Sequence, residues 1–416
     1  MAELKHKLST YSEEFWNFNN FRNNGIHNIA KYPAVMVAPM QKILIKDIIE
    51  IEKNINNILD PFCGSGTTLV EGTRLGLKAI GIDINPLANL ITKVKLEGVE
   101  HSKMNEAINN LHNRVINWNG QKLHYFNNIG KWFRDDIIIE LTKIRESIML
   151  EKDERIRRYF WVCFSDIVRK YSNTRSTTFK LHIKDREDIL SMRNNVIEDF
   201  FSKIKNSYRT LPTENLNKHK LFLDDSTQIL KKFPAESIDL ICTSPPYGDN
   251  NTTVTYGQFS ILSLLWIDIK DCNDFNKDII SNYSRIDTLS LGGGKIGKVE
   301  LGLETVSNIL KKITLNKQKK VKKFMFDYEK VFKEMARVTK KGSLIVLTLG
   351  NRRVDNVEIP LDEISIEIAD KNKMALEVKL ERNIPCKRMP KKVSNVRAYG
   401  AVSSINKEKV LIFRKN

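Results

Sequence analysis

The tetrapeptide Ser244-Pro245-Pro246-Tyr247 has the residue types in this chain that are best suited to chemistry. Its two successive prolines fix the backbone and remove two N–H donors, so the carbonyl oxygens of Ser244 and Pro245 are held rigid and unpaired. Two rigid acceptors suit an NH2 group, and the ring of Tyr247 can stack on a planar heterocycle. The tetrapeptide therefore suits an amino-bearing base, although a plain proline-rich turn after a strand would show the same pattern.

A second motif, Asp-Pro-Phe-Cys-Gly-Ser-Gly-Thr-Thr, occupies residues 60–68. The apolar run at 55–59 predicts a strand that ends in the Asp60 carboxylate. A turn with Gly64 and Gly66 follows, and then a helix that we expect Thr67 or Thr68 to cap. The pattern places backbone N–H groups around a ligand at the carboxyl end of a strand, where open α/β sheets bind nucleotides.

The ligand of this turn is not expected to be a polyphosphate. Leu69 stands where the dinucleotide fingerprint has its third glycine, and no lysine follows the glycines as in a phosphate-binding loop. A second strand at 78–83 ends in Asp83, which is placed to accept hydrogen bonds from ribose hydroxyls. The two features together fit an adenosine without phosphates. The run at 237–243 predicts a third strand, which brings the tetrapeptide to the same edge.

The two motifs together resemble the S-adenosylmethionine-dependent DNA amino-methyltransferases, the modification enzymes of restriction systems. The resemblance covers residues 25–95 and 220–355, about half of the chain. Serine before the Pro-Pro pair is more similar to the cytosine-N4 branch than to the adenine-N6 branch. The glycine motif precedes the tetrapeptide here, whereas most close cytosine-N4 relatives have the circularly permuted order, so both amines stay open as targets.

This resemblance implies a doubly wound, Rossmann-like α/β sheet with S-adenosyl-L-methionine as cofactor and double-stranded DNA as partner. A cognate restriction endonuclease is a further possible partner. The segment 31–34 takes the place of the family's cofactor-methionine segment, and 223–226 resembles the segment at the adenine amino group, which points to Asp225. The implied catalytic residues are Ser244, Pro245, Pro246 and Tyr247. The implied cofactor-binding residues are Tyr32, Pro33, Ala34, Asp60, Phe62, Gly64, Gly66, Thr67, Thr68, Asp83, Ile84, Asp225 and Ser226.

The segment between the two motif halves is too long for a loop, so we divide the chain into 1–95, an inserted and mostly helical domain at 96–220, and 221–416. Basic side chains interleaved with hydroxyl and aromatic ones suggest DNA contacts in two strips, one in the insert and one near the carboxyl end. The predicted DNA-binding residues are Arg169, Lys170, Arg175, Lys180, Lys387 and Arg388. An ordinary polar loop is the alternative for the first strip.

The remaining segments predict further helices and strands. Helices are predicted at 135–149, 154–170, 256–266 and 324–338, and a buried strand at 342–350. Irregular structure is predicted at 270–322, with a flexible glycine segment at 291–297. Helix and strand pieces at 361–378 and 410–413 are expected to complete the sheet with an antiparallel edge.

Composition agrees with a polyanion partner, since 68 basic and 50 acidic side chains give a formal charge of +18. No apolar stretch reaches the roughly 18 residues of a membrane span and the amino terminus has no apolar signal core, so we expect a cytoplasmic protein without a membrane partner. The five cysteines are scattered, which indicates neither disulfides nor a metal site.

Three other functions compete with DNA amine methylation. The first is an RNA methyltransferase acting on the guanine amine, because such enzymes share a Pro-Pro-Tyr loop. The second is cytosine carbon-5 methylation, which needs a thiolate in a Pro-Cys pair; the pair Pro385-Cys386 exists but lies far downstream of the catalytic strand. The third is an inactive DNA-binding subunit, which absence of cofactor binding would reveal.

Overall fold

The computed structural model describes residues 2–19, 21–22, 24–213, 219–250, 253–272, 275, 277–293, 301–384, 392–396, 400–403 and 407–416. The strands are β1 (Asn57–Asp60), β2 (Lys78–Asp83), β3 (His219–Leu223), β4 (Ile238–Thr243), β5 (Thr339–Gly350), β6 (Arg352–Val354), β7 (Val357–Ile359), β8 (Met374–Asn383), β9 (Lys392–Val396), β10 (Gly400–Ser403) and β11 (Lys407–Lys415). The helices are α1 (Ala2–Ser9), α2 (Ala38–Ile51), α3 (Thr67–Arg74), α4 (Pro86–Glu97), α5 (His101–Ile116), α6 (Ile129–Trp132), α7 (Asp135–Met149), α8 (Glu154–Tyr171), α9 (Arg186–Ser191), α10 (Val196–Ser207), α11 (Ser226–Lys231), α12 (Tyr256–Trp266), α13 (Arg285–Leu289), α14 (Glu304–Leu310), α15 (Leu315–Val338) and α16 (Leu361–Lys371). Short 3-10 turns lie at Phe15–Asn17, Gly25–Asn28, Tyr208–Thr210, Ile269–Cys272 and Lys277–Ile280.

One large sheet organises the molecule, with strand order β3-β2-β1-β4-β5-β11-β8. The first five of these strands are parallel, and β11 is antiparallel to both of its neighbours. This is the predicted doubly wound, Rossmann-like α/β fold with an antiparallel edge. Because the parallel strands end at the same edge, the segments that follow β1, β2, β3 and β4 are brought together there.

The inserted helices share a core with the sheet. Phe164 of α8 and Leu264 of α12 belong to the same buried apolar cluster as Ile58 of β1. Helix α8 packs against α4, α7, α10 and α12, and many of its side chains are fully buried. In the described residues, the helices of the insert therefore cover one face of the sheet and share its core. The other face carries a second cluster, to which α15 and α16 contribute.

Predicted and observed elements differ most between residues 270 and 322. This region holds the short helices α13 and α14, and α15 begins at Leu315 and not at residue 324. Among residues 315–323 only Val321 is buried, so the lysine-rich start of α15 has no apolar periodicity by which a helix could be recognised. Of the predicted glycine segment, 294–297 lies outside the described residues. The piece predicted at 361–378 is divided into α16 and β8.

Two features are absent from the described residues. No helix there is long and apolar enough to cross a membrane. No group of three or more His, Cys, Asp or Glu side chains in the same part of the chain is arranged to hold a metal ion.

Candidate active site at the carboxyl edge of the sheet

The glycine motif forms a tight loop between β1 and α3. Gly66 has φ +81°, and a Cβ at this position would lie 2.7 Å from side-chain atoms of Thr92, so only glycine fits. Gly66 is itself the N-cap of α3, and no side chain caps the helix. The prediction that Thr67 or Thr68 caps α3 was therefore wrong: both threonines lie inside the helix and are buried, because the left-handed turn at Gly66 takes the cap position.

Two side chains of α4 donate hydrogen bonds to carbonyl groups of the glycine loop. The Thr92 hydroxyl donates to the Gly64 carbonyl at 2.8 Å, and the Lys95 amine donates to the Ser65 carbonyl at 2.7 Å. Lys95 is 1% exposed, and this burial lowers the pKa of its amine to about 7. Two carbonyls of the loop are thus fixed before any ligand arrives.

Asp83, at the end of β2, binds the same loop. Its Oδ2 accepts from the Gly64 N–H and its Oδ1 from the Asn85 N–H, both at 2.8 Å. Burial raises the pKa of Asp83 to about 6, although the backbone donors act in the opposite direction. Each carboxylate oxygen has a second lone pair, so the predicted bonds to ribose hydroxyls are compatible with these contacts.

Asp60 joins the glycine loop to the catalytic strand. Its Oδ1 accepts from the Thr243 hydroxyl at 2.6 Å and from the Phe62 N–H at 3.0 Å. Burial raises the pKa of Asp60 to about 7, against the effect of these two donors. Its Oδ2 is buried and has no hydrogen bond of good geometry in the described part of the chain, although the Thr68 hydroxyl is close enough to lower the pKa of the carboxyl. This orphaned acceptor suits a ligand with a donor group.

Tyr32 brings the segment 31–34 to the glycine loop. Its ring lies 3.5 Å from the position that a Cβ on Gly64 would take and stacks on Tyr256 with ring centroids 5.8 Å apart. Its hydroxyl accepts from the Asn85 amide at 3.1 Å. In this segment Pro33 is buried, whereas Ala34 is exposed with φ +48°.

Asn85 was missed by the sequence analysis, although Asn before Pro86 at a helix start could have indicated it. Its Oδ1 accepts from the Leu87 N–H at 3.1 Å and so caps α4. Its amide also donates to the Ser260 hydroxyl of α12 at 2.8 Å. This side chain therefore links the cofactor side of the site to the helix that follows the catalytic loop.

The third side of the crevice follows β3. Asp83 is level with Leu223 in the sheet register, so Asp225 lies just beyond it. Asp225 caps α11 by accepting from the Gln228 N–H at 3.0 Å, and the Ser226 hydroxyl donates to the Pro61 carbonyl. The half-buried apolar side chains Phe62 and Ile84 also lie at this edge. The predicted cofactor segments thus converge on one edge.

The tetrapeptide lies directly beyond the paired part of β4. The register with β5 ends at Thr243, so Ser244 and Pro245 follow the last paired residue. The hydroxyl groups of Ser244 and Tyr247 are 3.2 Å apart. The Tyr247 hydroxyl also donates to Oε1 of Glu408 at 3.4 Å. The tyrosine ring is therefore tethered at its polar end.

Glu408 and Arg382 form a buried ion pair behind Tyr247 that sequence reasoning missed. They face each other on β11 and β8, and Nε of Arg382 donates to Oε2 of Glu408 at 2.8 Å. Arg382 is 5% exposed, so it does not belong to a surface strip. Burial raises the pKa of the Tyr247 hydroxyl, and the charge of Glu408 acts in the same direction. No sequence signal links positions this far apart.

The segment after the tetrapeptide is held by two carboxylates. Asp249 accepts from Arg352 at 3.3 Å, and a Cβ on Gly248 would lie 2.0 Å from the Arg352 guanidinium, so the absence of a side chain there lets the arginine pass. Asp287 accepts from the Gly257 N–H at 2.9 Å at the start of α12. Burial raises the pKa of Asp287 to about 6.

The predicted basic strip of the insert packs against α12. Arg169 lies over the Phe259 ring at 4.1 Å and donates to the Thr178 carbonyl at 2.6 Å. Burial lowers the pKa of its guanidinium to about 10. Lys170 pairs with an aspartate, Asp199, and Arg175 pairs with Asp185 at 3.1 Å.

The internal contacts of each residue in the strip decide how available its charge is for DNA phosphate. Arg169 is committed to internal contacts and is badly placed for phosphate. Lys180 is exposed and has no ion pair among the described residues, so it fits the prediction best. Lys387 and Arg388 of the second strip, together with Cys386, lie outside the described residues.

The site has the features that S-adenosyl-L-methionine requires. A Cβ on Gly64 would meet only the Tyr32 ring among the described residues, at 3.5 Å, so the loop is open beside that ring. Asp83 can accept from ribose hydroxyls, and Oδ2 of Asp60 has no hydrogen bond in the described part of the chain. Tyr32, Phe62 and Ile84 supply apolar and aromatic walls. The described residues therefore fit this cofactor.

Comparisons with known proteins agree with this geometry. A family model for N6 and N4 methyltransferases, described as DNA methylase, matches residues 2–93. Type II methyltransferase M.MvaI of Kocuria varians is 30% identical over 442 residues, covering 100% of this chain and 96% of that protein. Type II methyltransferase M.BsoBI of Geobacillus stearothermophilus is 23% identical, covering 88% and 82%.

Solved structures add little to these sequence relatives. A DNA modification methylase from Thermus thermophilus, in complex with S-adenosyl-L-methionine, covers 46% of this chain and 53% of its own at 16% identity. Its TM-score of 0.23 is too low to support an argument. The match to M.MvaI along its full length decides the matter: the chain belongs to the DNA amino-methyltransferases of restriction–modification type, which use S-adenosyl-L-methionine as methyl donor.

Proposed function

We propose that this enzyme methylates the exocyclic N4 amine of cytosine at a specific word in duplex DNA. The observation that carries the proposal is Ser244 before Pro245-Pro246, with its hydroxyl 3.2 Å from that of Tyr247. A serine hydroxyl and a neighbouring carbonyl accept from the two amine hydrogens without adding a charge. The 96–220 insert would help to recognise the DNA, in the cytoplasm and beside a cognate restriction endonuclease.

The target base must leave the duplex, because the amine of a paired base is engaged and inaccessible. Tyr247 would stack on the extruded base, with its hydroxyl tethered to Ser244 and Glu408. Ser244 and the Pro245 carbonyl would accept the amine hydrogens and turn the nitrogen lone pair toward the methyl donor. The methyl group bound to sulfonium supplies the electrophile.

The residues named here act by position. Holding the amine in line with the methyl group makes a bimolecular displacement effectively unimolecular. As the N–C bond forms, the C–S bond of the donor would break and leave a neutral thioether. The nitrogen becomes tetrahedral and acidic, the Ser244 hydroxyl and Pro245 carbonyl are placed to accept hydrogen bonds from its N–H groups, and the surplus proton passes to water. No covalent intermediate with the enzyme is needed.

A thiolate mechanism at carbon 5 finds no support among the described cysteines. Cys63, Cys163, Cys242 and Cys272 are all buried. Burial raises the pKa of the Cys242 thiol, on the catalytic strand. It also raises the pKa of the Cys163 thiol, to about 11. For Cys386, outside the described residues, the serine variant should be nearly silent, whereas a carbon-5 enzyme would lose all turnover.

The product decides between the possible target bases. DNA modified by the purified enzyme is digested to nucleosides and analysed by mass spectrometry, and methylation-sensitive sequencing gives the recognised word. We expect methyl on the cytosine amine. Methyl on the adenine amine would keep the mechanism and overturn the base assignment, and methyl found only on RNA guanine would overturn the substrate class.

A further inference from the structure

A dense group of lysines lies on the surface near the start of α15 and belongs to neither predicted DNA-binding strip. Residues 311–323 contain seven lysines and no acidic residue. Lys323 pairs with Asp327 at 2.7 Å, and Lys317 lies close enough to Asp355 to lower the pKa of that carboxyl. The other five have no ion pair in the part of the chain that the structure describes. We name them the α15 lysine surface: Lys311, Lys312, Lys319, Lys320 and Lys322.

Two contacts place this surface at the catalytic edge of the sheet. Thr314, directly before α15, donates through its N–H and its hydroxyl to Asp355 at 2.9 and 2.7 Å. Asp355 lies in the turn between β6 and β7, the hairpin that follows the carboxyl end of β5. Further along α15, a Cβ on Gly292 would lie 3.0 Å from Cβ of Phe324 and 3.3 Å from Cβ of Asp249. Since Asp249 follows the tetrapeptide closely, the lysines before Phe324 stand beside the catalytic loop.

The surface and the insert lie on opposite faces of the sheet. Helix α15 packs on the apolar cluster that contains Phe332 and Phe413, whereas α8 and α12 pack on the other cluster. The catalytic loop lies at the edge between them. A duplex that presents a base to Tyr247 would therefore meet the insert on one side and the α15 lysine surface on the other.

Within the described residues, these charges make no contact that stabilises the fold. Like charges three or four residues apart, such as Lys319 with Lys322 and Lys323, destabilise a helix. Positive charges in the first turns also oppose the helix dipole. Lys319 and Lys320 are exposed, so apolar packing does not explain them either. An external polyanion would remove this repulsion.

We propose that the α15 lysine surface binds the phosphate backbone of the substrate duplex, on the side of the target base opposite to the insert. Exposed lysines bind phosphates as point charges and independently of base sequence. The inference rests on DNA as the substrate and holds for either target amine. It makes this surface a positioning element that fixes the duplex relative to Tyr247.

The test compares two double variants that each remove two positive charges. Lys319→Gln/Lys320→Gln neutralises the α15 lysine surface. Lys333→Gln/Lys341→Gln is the matched control, because both lysines are exposed but lie near the junction of α15 and β5, at the opposite edge of the sheet. Affinity for cognate and unrelated duplexes is measured by fluorescence anisotropy between about 0.1 and 0.4 M salt. The melting temperature of each protein shows that it is folded.

Each lost phosphate contact should reduce the slope of log affinity against log salt by about 0.9. The first variant should therefore lose about two units of slope and bind all duplexes on the order of 50-fold more weakly at 0.1 M salt. Its melting temperature should stay the same or rise, since repulsion is relieved. The control should keep the wild-type slope.

Two results would overturn the inference. An unchanged slope in Lys319→Gln/Lys320→Gln would show that the lysines touch no phosphate and leave them to a protein partner. Equal changes in both variants would show an effect of net charge alone. The base assignment is tested separately, because nucleoside mass spectrometry of the product does not depend on the salt slope.

Discussion

The cofactor side of the crevice, at the ends of β1 and β2, differs from the target side, at the ends of β4 and β5, in how its polar groups are bonded. On the cofactor side, Asp83, Thr92 and Lys95 hold successive residues of the glycine loop at 2.7–2.8 Å. On the target side, the Tyr247 hydroxyl has two longer contacts, at 3.2 and 3.4 Å. The cofactor side is organised in advance, and the target side is held more loosely.

Buried polar atoms that lack partners lie on both sides: Oδ2 of Asp60 is one on the cofactor side, and the target side has several. Among the described residues these include Oδ1 of Asn250, Oγ1 of Thr255 and Nη1 of Arg382. A buried group without a hydrogen bond costs roughly 1–3 kcal/mol, so each calls for water or bound substrate as its partner. On the cofactor side, a small ligand binds to a loop that is already rigid. On the target side, the extruded base and its strand supply contacts that the protein alone does not make.

Tyr247→Ala should give the largest effect, on the target side alone. Stacking on an extruded base contributes about 1–3 kcal/mol and also fixes the attack geometry, so kcat/KM should fall by roughly 100-fold or more. Affinity for S-adenosyl-L-methionine, measured by calorimetric titration, should not change. Tyr247→Phe keeps the ring and loses only the two long contacts, so it should retain much of the activity. An active alanine variant would refute the stacking role.

Asp83→Ala should change the cofactor side, by weakening the binding of S-adenosyl-L-methionine. Loss of hydrogen bonds to a charged group should weaken S-adenosyl-L-methionine binding by roughly 1.5–3 kcal/mol. Part of the loss comes from releasing the Gly64 and Asn85 N–H groups. Asp83→Asn keeps one acceptor and should lose less. The variant must melt like the parent, and unchanged affinity by calorimetry would remove Asp83 from the site.

The two sides also differed in how far the sequence predicted them. The glycine loop and Asp83 follow from local patterns, because strand ends and glycine turns depend on nearby residues, whereas the 31–34 segment was predicted from the family resemblance. Glu408 and Arg382 do not, since their pairing arises only when β11 lies between β5 and β8. Arg169 looked like a surface cation because its sequence neighbours are polar, but Phe259 of α12 covers it. The start of α15 was missed because its exposed lysines give no periodicity.

Lys95 allows the rigidity of the cofactor side to be tested by pH. Its pKa is about 7 in the folded protein and about 10.5 when the amine is exposed. Between these values the unfolded chain binds the proton and the folded chain does not, so stability from this group should rise with pH across the window and stay constant below it.

Urea unfolding at pH 6, 7, 8 and 9 measures this effect against a variant. The free energy of unfolding of the wild type, relative to Lys95→Met, should rise by about 1 kcal/mol per pH unit above 7, below the limit for one proton. Lys42→Met, which removes an exposed lysine of α2, is the control and should follow the wild type. A flat difference for Lys95→Met would mean that its amine stays charged when buried.

The smallest expected effect is on the salt dependence of DNA binding. It compares Lys180, which has no ion pair among the described residues, with Arg175, which is paired. Lys180→Gln should reduce the salt slope of DNA binding by about one unit, equally for all duplexes, if Lys180 contacts a phosphate. Arg175→Gln should change the slope less, because Asp185 already compensates this charge and DNA binding would have to displace it. Both can be measured by anisotropy titration at several salt concentrations. Equal slopes for Lys180→Gln and the wild type would return the strip to an ordinary polar loop, and the α15 lysine surface would then be the remaining phosphate contact near the catalytic edge.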